Sequence, residues 1–286
     1  SSTVDSSTVD SGKVDSATAD SSTVDSSTVD SGKVDSATVD SSTADSSTVD
    51  SGVVDGSTDA VSDAMPLLDG SAPSGYENLA ALTDQALIDG LHNLVIGHTS
   101  LGYTGARHAL YGTDSAPGID VHNGKIECVY SGQLFAPSGG YNTEHSWPQS
   151  QFGTDETSVK KGDMHHLFPT ASQINSCRSS TDFGDVLSLS GACSSGGSGS
   201  GKDSAGNTVF MVRMKYRGDI ARAHFYFAVR YQLHIGASEE AALRGWHHQD
   251  LPDTEEIDRN NAIYGIQKNR NPFVDWPEAV DRISDF

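Results

Sequence analysis

From Tyr76 onward the apolar positions fall into a helical rhythm. Leu79, Leu82, Leu87, Leu91, Leu94 and Val95 recur largely at three- and four-residue steps, which predicts an amphipathic helix over 76–96 that begins among acidic residues. His92 and His98 read as surface or packing residues. Gly124 to Phe135 alternates and is rich in β-formers, predicting a strand and turn. Residues 163–169 read as extended, and 170–177 as a short helix with Thr170 as its candidate cap. The Ser/Gly-rich stretch 188–206 reads as a mobile loop. Gly218 to Ile235 predicts the main buried helix, aromatic on one face with Arg222 and Arg230 outward. A last helix over 254–267 precedes the segment Lys268–Asp275.

The first 63 residues carry none of this patterning. A five-residue unit ending in Asp repeats in groups of twenty, with no aromatic, Leu or Ile, and with Lys13 and Lys33 as its cations. So little apolar surface cannot offset chain entropy, so residues 1–69 are expected to be a disordered acidic repeat and linker. A β-solenoid fits a fixed short period, but these units offer little to stack. Carboxylates five apart on a flexible chain do not converge on calcium either. The Pro/Gly/Ser patch at Gly70–Gly75 then hands over to a globular domain, 70–286.

The chain's net charge is −21 and the segment 1–63 carries −11 of it, so the remainder is acidic as well. Most nucleic-acid binders are basic, so any such role would depend on local cations such as Lys160, Lys161, Arg213, Lys215 and Arg217. Cys128, Cys177 and Cys193 permit one disulfide, with Cys177–Cys193 and Cys128–Cys177 both open. No stretch approaches the eighteen apolar residues of a membrane span. The chain begins with Ser and shows no basic-then-apolar leader, which fits a processed or truncated export product as well as a cytosolic one.

The chemically useful side chains crowd into 141–184. Glu144 and His145 are adjacent, so at a strand end one can bind a metal while the other faces an attacking water. Asn175 adds a neutral oxygen ligand. With Glu144 it makes a hard-cation site of few protein ligands, which suits Mg2+, with Mn2+ or Ca2+ as substitutes. Asp163-Met164-His165-His166 permits a zinc reading, but in an extended segment only Asp163 and His165 share a face. Ser146 and Ser179 lack the Gly-x-Ser-x-Gly elbow of a serine nucleophile.

Five ordered motifs carry a resemblance: Asn142-Thr-Glu144-His145-Ser-Trp-Pro148-Gln149-Ser150, Gly162-Asp163-Met-His165-His166-Leu-Phe-Pro169, Ile174-Asn175-Ser-Cys-Arg178-Ser179, Gly218-Asp219-Ile-Ala-Arg222-Ala and Asn269-Arg270-Asn271-Pro272-Phe273. Over roughly 76–280 the chain resembles the bacterial endonuclease I family, periplasmic or secreted non-specific nucleases. That resemblance implies an α+β fold, mostly helical around a ββα-metal (His-Me finger) motif. It implies His145 as general base, Glu144 and Asn175 as Mg2+ ligands, and 5′-phosphate products. By the same resemblance Arg178 holds phosphate, Asp163 and His165 brace the finger, and Asn269 and Arg270 are structural or touch substrate. His166 stands where many members have Asn. The implied partner is DNA, with RNA also open, bound without sequence specificity by a monomer. Two other readings compete: a zinc- or manganese-dependent phosphoesterase on small phosphates, and a non-catalytic surface or binding protein whose repeat does the work.

Overall fold

The computed structural model describes residues 72–286. The expectations for the repeat and linker lie outside the described residues. What is described is an α+β domain of eight α-helices and three small antiparallel sheets.

The helix predicted over 76–96 is broken in two. A short 3-10 turn at Glu77–Leu79 precedes helix α1, Asp84–Val95. The Arg282 guanidinium donates to the carbonyls of Ala80 and Leu82, acceptors that a continuous helix would use itself. Leu87, Leu91 and Val95 are buried as the spacing requires, while Leu94 is half exposed. Helix α2, Gly102–Tyr111, follows. The strand predicted near Gly124–Phe135 is a small hairpin of β1, Ile126–Glu127, and β2, Leu134–Phe135.

The centre of the domain is α5, Arg217–Tyr231. Helix α6, Ala237–Gln249, packs along it, α1 packs on it as well, and α8, Pro272–Asp275, closes the C-terminal side. Ile220, Phe225, Tyr226 and Phe227 have no exposed surface, the pattern of a helix apolar nearly all round. The expectation that Arg222 and Arg230 face outward is wrong. Arg222 is fully buried, and its guanidinium forks onto Glu256 of α7, Thr254–Gln267, with Nε 2.8 Å from Oε1. Arg230 donates to His98 Nδ1 at 3.1 Å and reaches Glu156 Oε2 at 3.3 Å. Each buried charge finds a partner from a distant segment, which helix periodicity cannot reveal.

The stretch expected to be a mobile loop is instead a sheet. Strands β5, Leu189–Ser195, β6, Ser198–Lys202, and β7, Thr208–Met211, pair antiparallel in that order. Gly196 and Gly197, at φ +59° and +91°, form the two-residue turn between Ser195 and Ser198. Two successive positive φ values match the twist of a tight hairpin, and glycine adopts them without steric cost. Of the two disulfides left open, Cys177–Cys193 is formed, with Cα atoms 5.4 Å apart, tying this sheet to the chain at Cys177. Cys128 is a buried free thiol.

Candidate functional site

Strands β3, Asn142–His145, and β4, Leu167–Thr170, pair antiparallel with Glu144 opposite Phe168 and His145 opposite Leu167. Helix α4, Ser172–Arg178, follows after one residue and packs against β3. Its N-cap is Ala171. Thr170 instead ends β4, fully buried against the Cys128 thiol. Only 167–169 of the predicted extended segment is strand, because Met164–His166 forms a 3-10 turn capped by the Asp163 side chain.

Glu144 and His145, being successive on β3, meet different neighbours. His145 is 6% exposed and lies against Tyr103, His166 and Phe152, with ring centroids 5.4, 5.3 and 6.2 Å away. Its Nε2 is 3.2 Å from the carbonyl of Lys161. A carbonyl can only accept, so Nε2 carries the proton and Nδ1 holds the lone pair. That lone pair meets the Gln149 side-chain amide at 3.3 Å, and Gln149 is exposed. Burial, and then neighbouring His166, hold the imidazolium pKa down to about 3. At neutral pH His145 is therefore a neutral imidazole, oriented by main chain on one side and presenting a basic nitrogen on the other.

Glu144 is 3% exposed and its Oε1 lies 2.9 Å from Arg178 Nη1. Despite that contact, Oε1 has no hydrogen bond of good geometry, and neither do the buried Arg178 Nε, Tyr130 hydroxyl and Ser146 hydroxyl. Burial pushes the Glu144 carboxyl above its ordinary range, against the pull of Arg178 and of the neighbouring Tyr130 hydroxyl. Arg178 is 1% exposed and donates to the carbonyls of His145 at 3.2 Å and Ser146 at 2.6 Å. Its guanidinium is thus turned onto the end of β3. Asn175, half-buried, is three residues before Arg178 on α4, so the two share a helix face.

Asp163, His165 and Asn269 form a second cluster. Asp163 is fully buried and accepts from Gln267 Nε2 at 2.8 Å, His165 N at 3.1 Å, and the Tyr226 and Tyr231 hydroxyls at 2.8 and 2.9 Å. Nearby His98 and His165, then Gln267, hold its pKa down to about 2 against burial. His165 Nε2 is 3.2 Å from the Asn269 carbonyl, and the Asn269 amide donates to Val95 O at 3.1 Å and the Tyr226 oxygen at 2.7 Å. Arg270 grips Asp275 with two bonds of 2.6 Å each, which ties down the C-terminal segment. His166 bonds the Lys160 carbonyl at 2.7 Å and packs on Phe227.

Sequence reasoning missed Tyr103, Gln149, Tyr130 and Arg107. Arg107 Nε donates to Thr143 on β3 at 3.0 Å. Nothing local marks Tyr103 or Arg107, which reach the site from α2 across about forty residues of chain. Gln149 lies within the first motif and could have been read as a neighbour of the imidazole four residues earlier.

A family model described as Endonuclease I matches residues 83–278. An extracellular ribonuclease of Bacillus amyloliquefaciens is 32% identical over 237 residues, covering 73% of this chain and 77% of the relative. An extracellular deoxyribonuclease of Aeromonas hydrophila is 27% identical over 233 residues, 72% of this chain and 92% of the relative. A periplasmic deoxyribonuclease of the same species is 27% identical over 223 residues, 68% and 86%. With a buried carboxylate and an oriented imidazole side by side on β3, these likenesses define the class: a nuclease, an enzyme that hydrolyses phosphodiester bonds. The resemblance carried by the five motifs is borne out, and the chain belongs to the Endonuclease I family.

Proposed function

We propose that this nuclease is an exported, Mg2+-dependent endonuclease that cuts DNA, and RNA as well, without regard to sequence and leaves 5′-phosphate ends. In this reading β3, β4 and α4 are the ββα-metal, or His-Me finger, motif. The observation that carries it is the pairing on β3 of an imidazole whose tautomer is fixed by the Lys161 carbonyl with a buried carboxylate oxygen that faces the Arg178 guanidinium but has no hydrogen bond of good geometry.

His145 takes the proton of the attacking water on Nδ1, once Gln149 has yielded that position, while the Lys161 carbonyl stabilises the imidazolium through Nε2–H. Glu144 and Asn175 would hold the metal. The donor set fits: Glu144 Oε1 is a buried carboxylate oxygen without a well-formed hydrogen bond, and Asn175 carries a neutral amide oxygen on the helix that packs against β3. A bound Mg2+ supplies positive charge that stabilises the developing phosphorane and the leaving 3′ oxygen. Arg178 favours the ionised form of Glu144 and holds it in place, and in this reading its guanidinium, buried against the end of β3, lends positive charge to the bound phosphate. Asp163, His165 and Asn269 brace the turn that leads into β4. Arg270 braces the C-terminal segment.

Contacts to phosphate and sugar carry no base information, which accounts for indifference to sequence. The names of the relatives support both nucleic acids as substrates and an extracellular or periplasmic setting. Incubating supercoiled plasmid and a structured RNA with the protein, in Mg2+ and in excess chelator, tests the proposal. Both polymers should be degraded only with Mg2+, and the DNA fragments should ligate without prior phosphorylation. Undiminished cleavage in chelator, or ends that need a kinase, would contradict it.

A further inference from the structure

Two cations beside His145 stand out in a chain of net charge −21. Every arginine among the described residues lies within 4.0 Å of a carboxylate except Arg107 and Arg282. Arg282 is committed to the carbonyls of Ala80 and Leu82. Arg107 has only the neutral Thr143 hydroxyl on its Nε, and both of its terminal nitrogens remain available. Lys161, likewise half-buried and outside any ion pair, is the second cation.

Both converge on one ring. Lys161 Nζ lies 4.9 Å and the Arg107 guanidinium carbon 5.8 Å from the centroid of Tyr103, itself 5.4 Å from the ring of His145. The electron-rich face of the tyrosine lets two like charges gather where they would otherwise repel. Both are also fixed relative to the base. Arg107 is pinned to Thr143, two residues before His145 on β3, and Lys161 is the residue whose carbonyl holds the His145 ring. The start of α2 is pressed onto the same turn: a Cβ at Gly162 would come within 2.7 Å of the Gly102 backbone.

We infer that Arg107 and Lys161, gathered on the Tyr103 ring, form a subsite that grips a backbone phosphate of the substrate strand next to the one being cleaved. The subsite rests on the nuclease reading above and supplies what the acidic composition withholds, a local positive point at the reacting group. Arg107 and Lys161 bind substrate; Tyr103 positions them.

The test is binding, not turnover. In a His145→Ala background, which keeps the probe intact, fluorescence anisotropy of a labelled single-stranded oligodeoxynucleotide is followed from 50 to 200 mM salt. Adding Arg107→Gln and Lys161→Gln together should weaken binding about tenfold at the lower salt and reduce the slope of log K on log salt by about one, the signature of one lost phosphate contact. Arg107→Lys alone should keep most of the slope, which separates lost charge from lost packing. Lys202→Gln, which removes the same charge from β6, should leave the slope unchanged. A double variant with the parent's slope, or a Lys202→Gln drop of equal size, would overturn the subsite while leaving the nuclease reading intact. A background protein that binds no oligonucleotide would remove both.

Discussion

The Asp163 network and the Glu144–Arg178 pair flank the same hairpin and are satisfied to very different degrees. Asp163 accepts four hydrogen bonds, from Gln267, His165 and two tyrosines, and is fully buried. Glu144 is almost as deeply buried, yet its Oε1 has a cation at 2.9 Å and no well-formed hydrogen bond, and Tyr130, Ser146 and Arg178 nearby are also left short. A folded protein tolerates such groups where a ligand completes them, because an unsatisfied buried polar atom costs about 1–3 kcal/mol. The complete network holds shape. The incomplete one is where we place the chemistry.

Substitutions on the two sides should therefore divide between activity and stability. The largest effect is expected from His145→Ala, which should lower plasmid cleavage by about a factor of a hundred to ten thousand with the melting temperature nearly unchanged. Cleavage at the parent's rate would remove His145 from the chemical step. Asp163→Asn should show the converse. Losing the charge from four hydrogen bonds is expected to cost about 3 kcal/mol, or roughly 10 °C in melting temperature, measured by calorimetry. An Asp163→Asn protein as stable as the parent would mean that the network carries no load.

Acid sharpens the same contrast. His165 and His166 are held near 4 and His247 near 3, all chiefly by burial, whereas an unfolded histidine titrates near 6.5. Between those values the unfolded chain binds more protons than the folded one, so stability is whole above about pH 6.5 and falls as pH drops toward 4. Asp163, at about 2, adds a further loss only below about pH 4. A melting temperature that stays flat from pH 7 to 5 would contradict the buried, neutral histidines. The smallest effect should come from Gln149→Ala. That exposed amide only covers the His145 lone pair, so the cleavage rate is expected to stay within about fivefold of the parent's.

The reading from sequence succeeded where local signals sufficed. Leucine spacing located α1, although not the Arg282 contacts that break its first turn, and the motif around Glu144 and His145 located β3. It failed wherever a distant partner decides. Arg222 is buried because Glu256, thirty-four residues later, meets it. Residues 188–206 form strands because small side chains allow close pairing: a Cβ at Gly199 would approach the Cys193 carbonyl to 2.4 Å. Helix α2 passed unseen because Gly102 and Gly105 interrupt its pattern, and with it went Tyr103 and Arg107. The motifs thus named residues of β3 and α4, and the neighbours that α2 contributes came from the fold.

In the proposed reading the Glu144 side of the hairpin is a cation site and the Asp163 side is scaffold. Titrating Mn2+ into the protein, with free ion read by electron paramagnetic resonance, tests it without reference to turnover. One equivalent should bind in the parent protein and be lost in Glu144→Gln while the fold persists. One equivalent bound as tightly by Glu144→Gln as by the parent would contradict it.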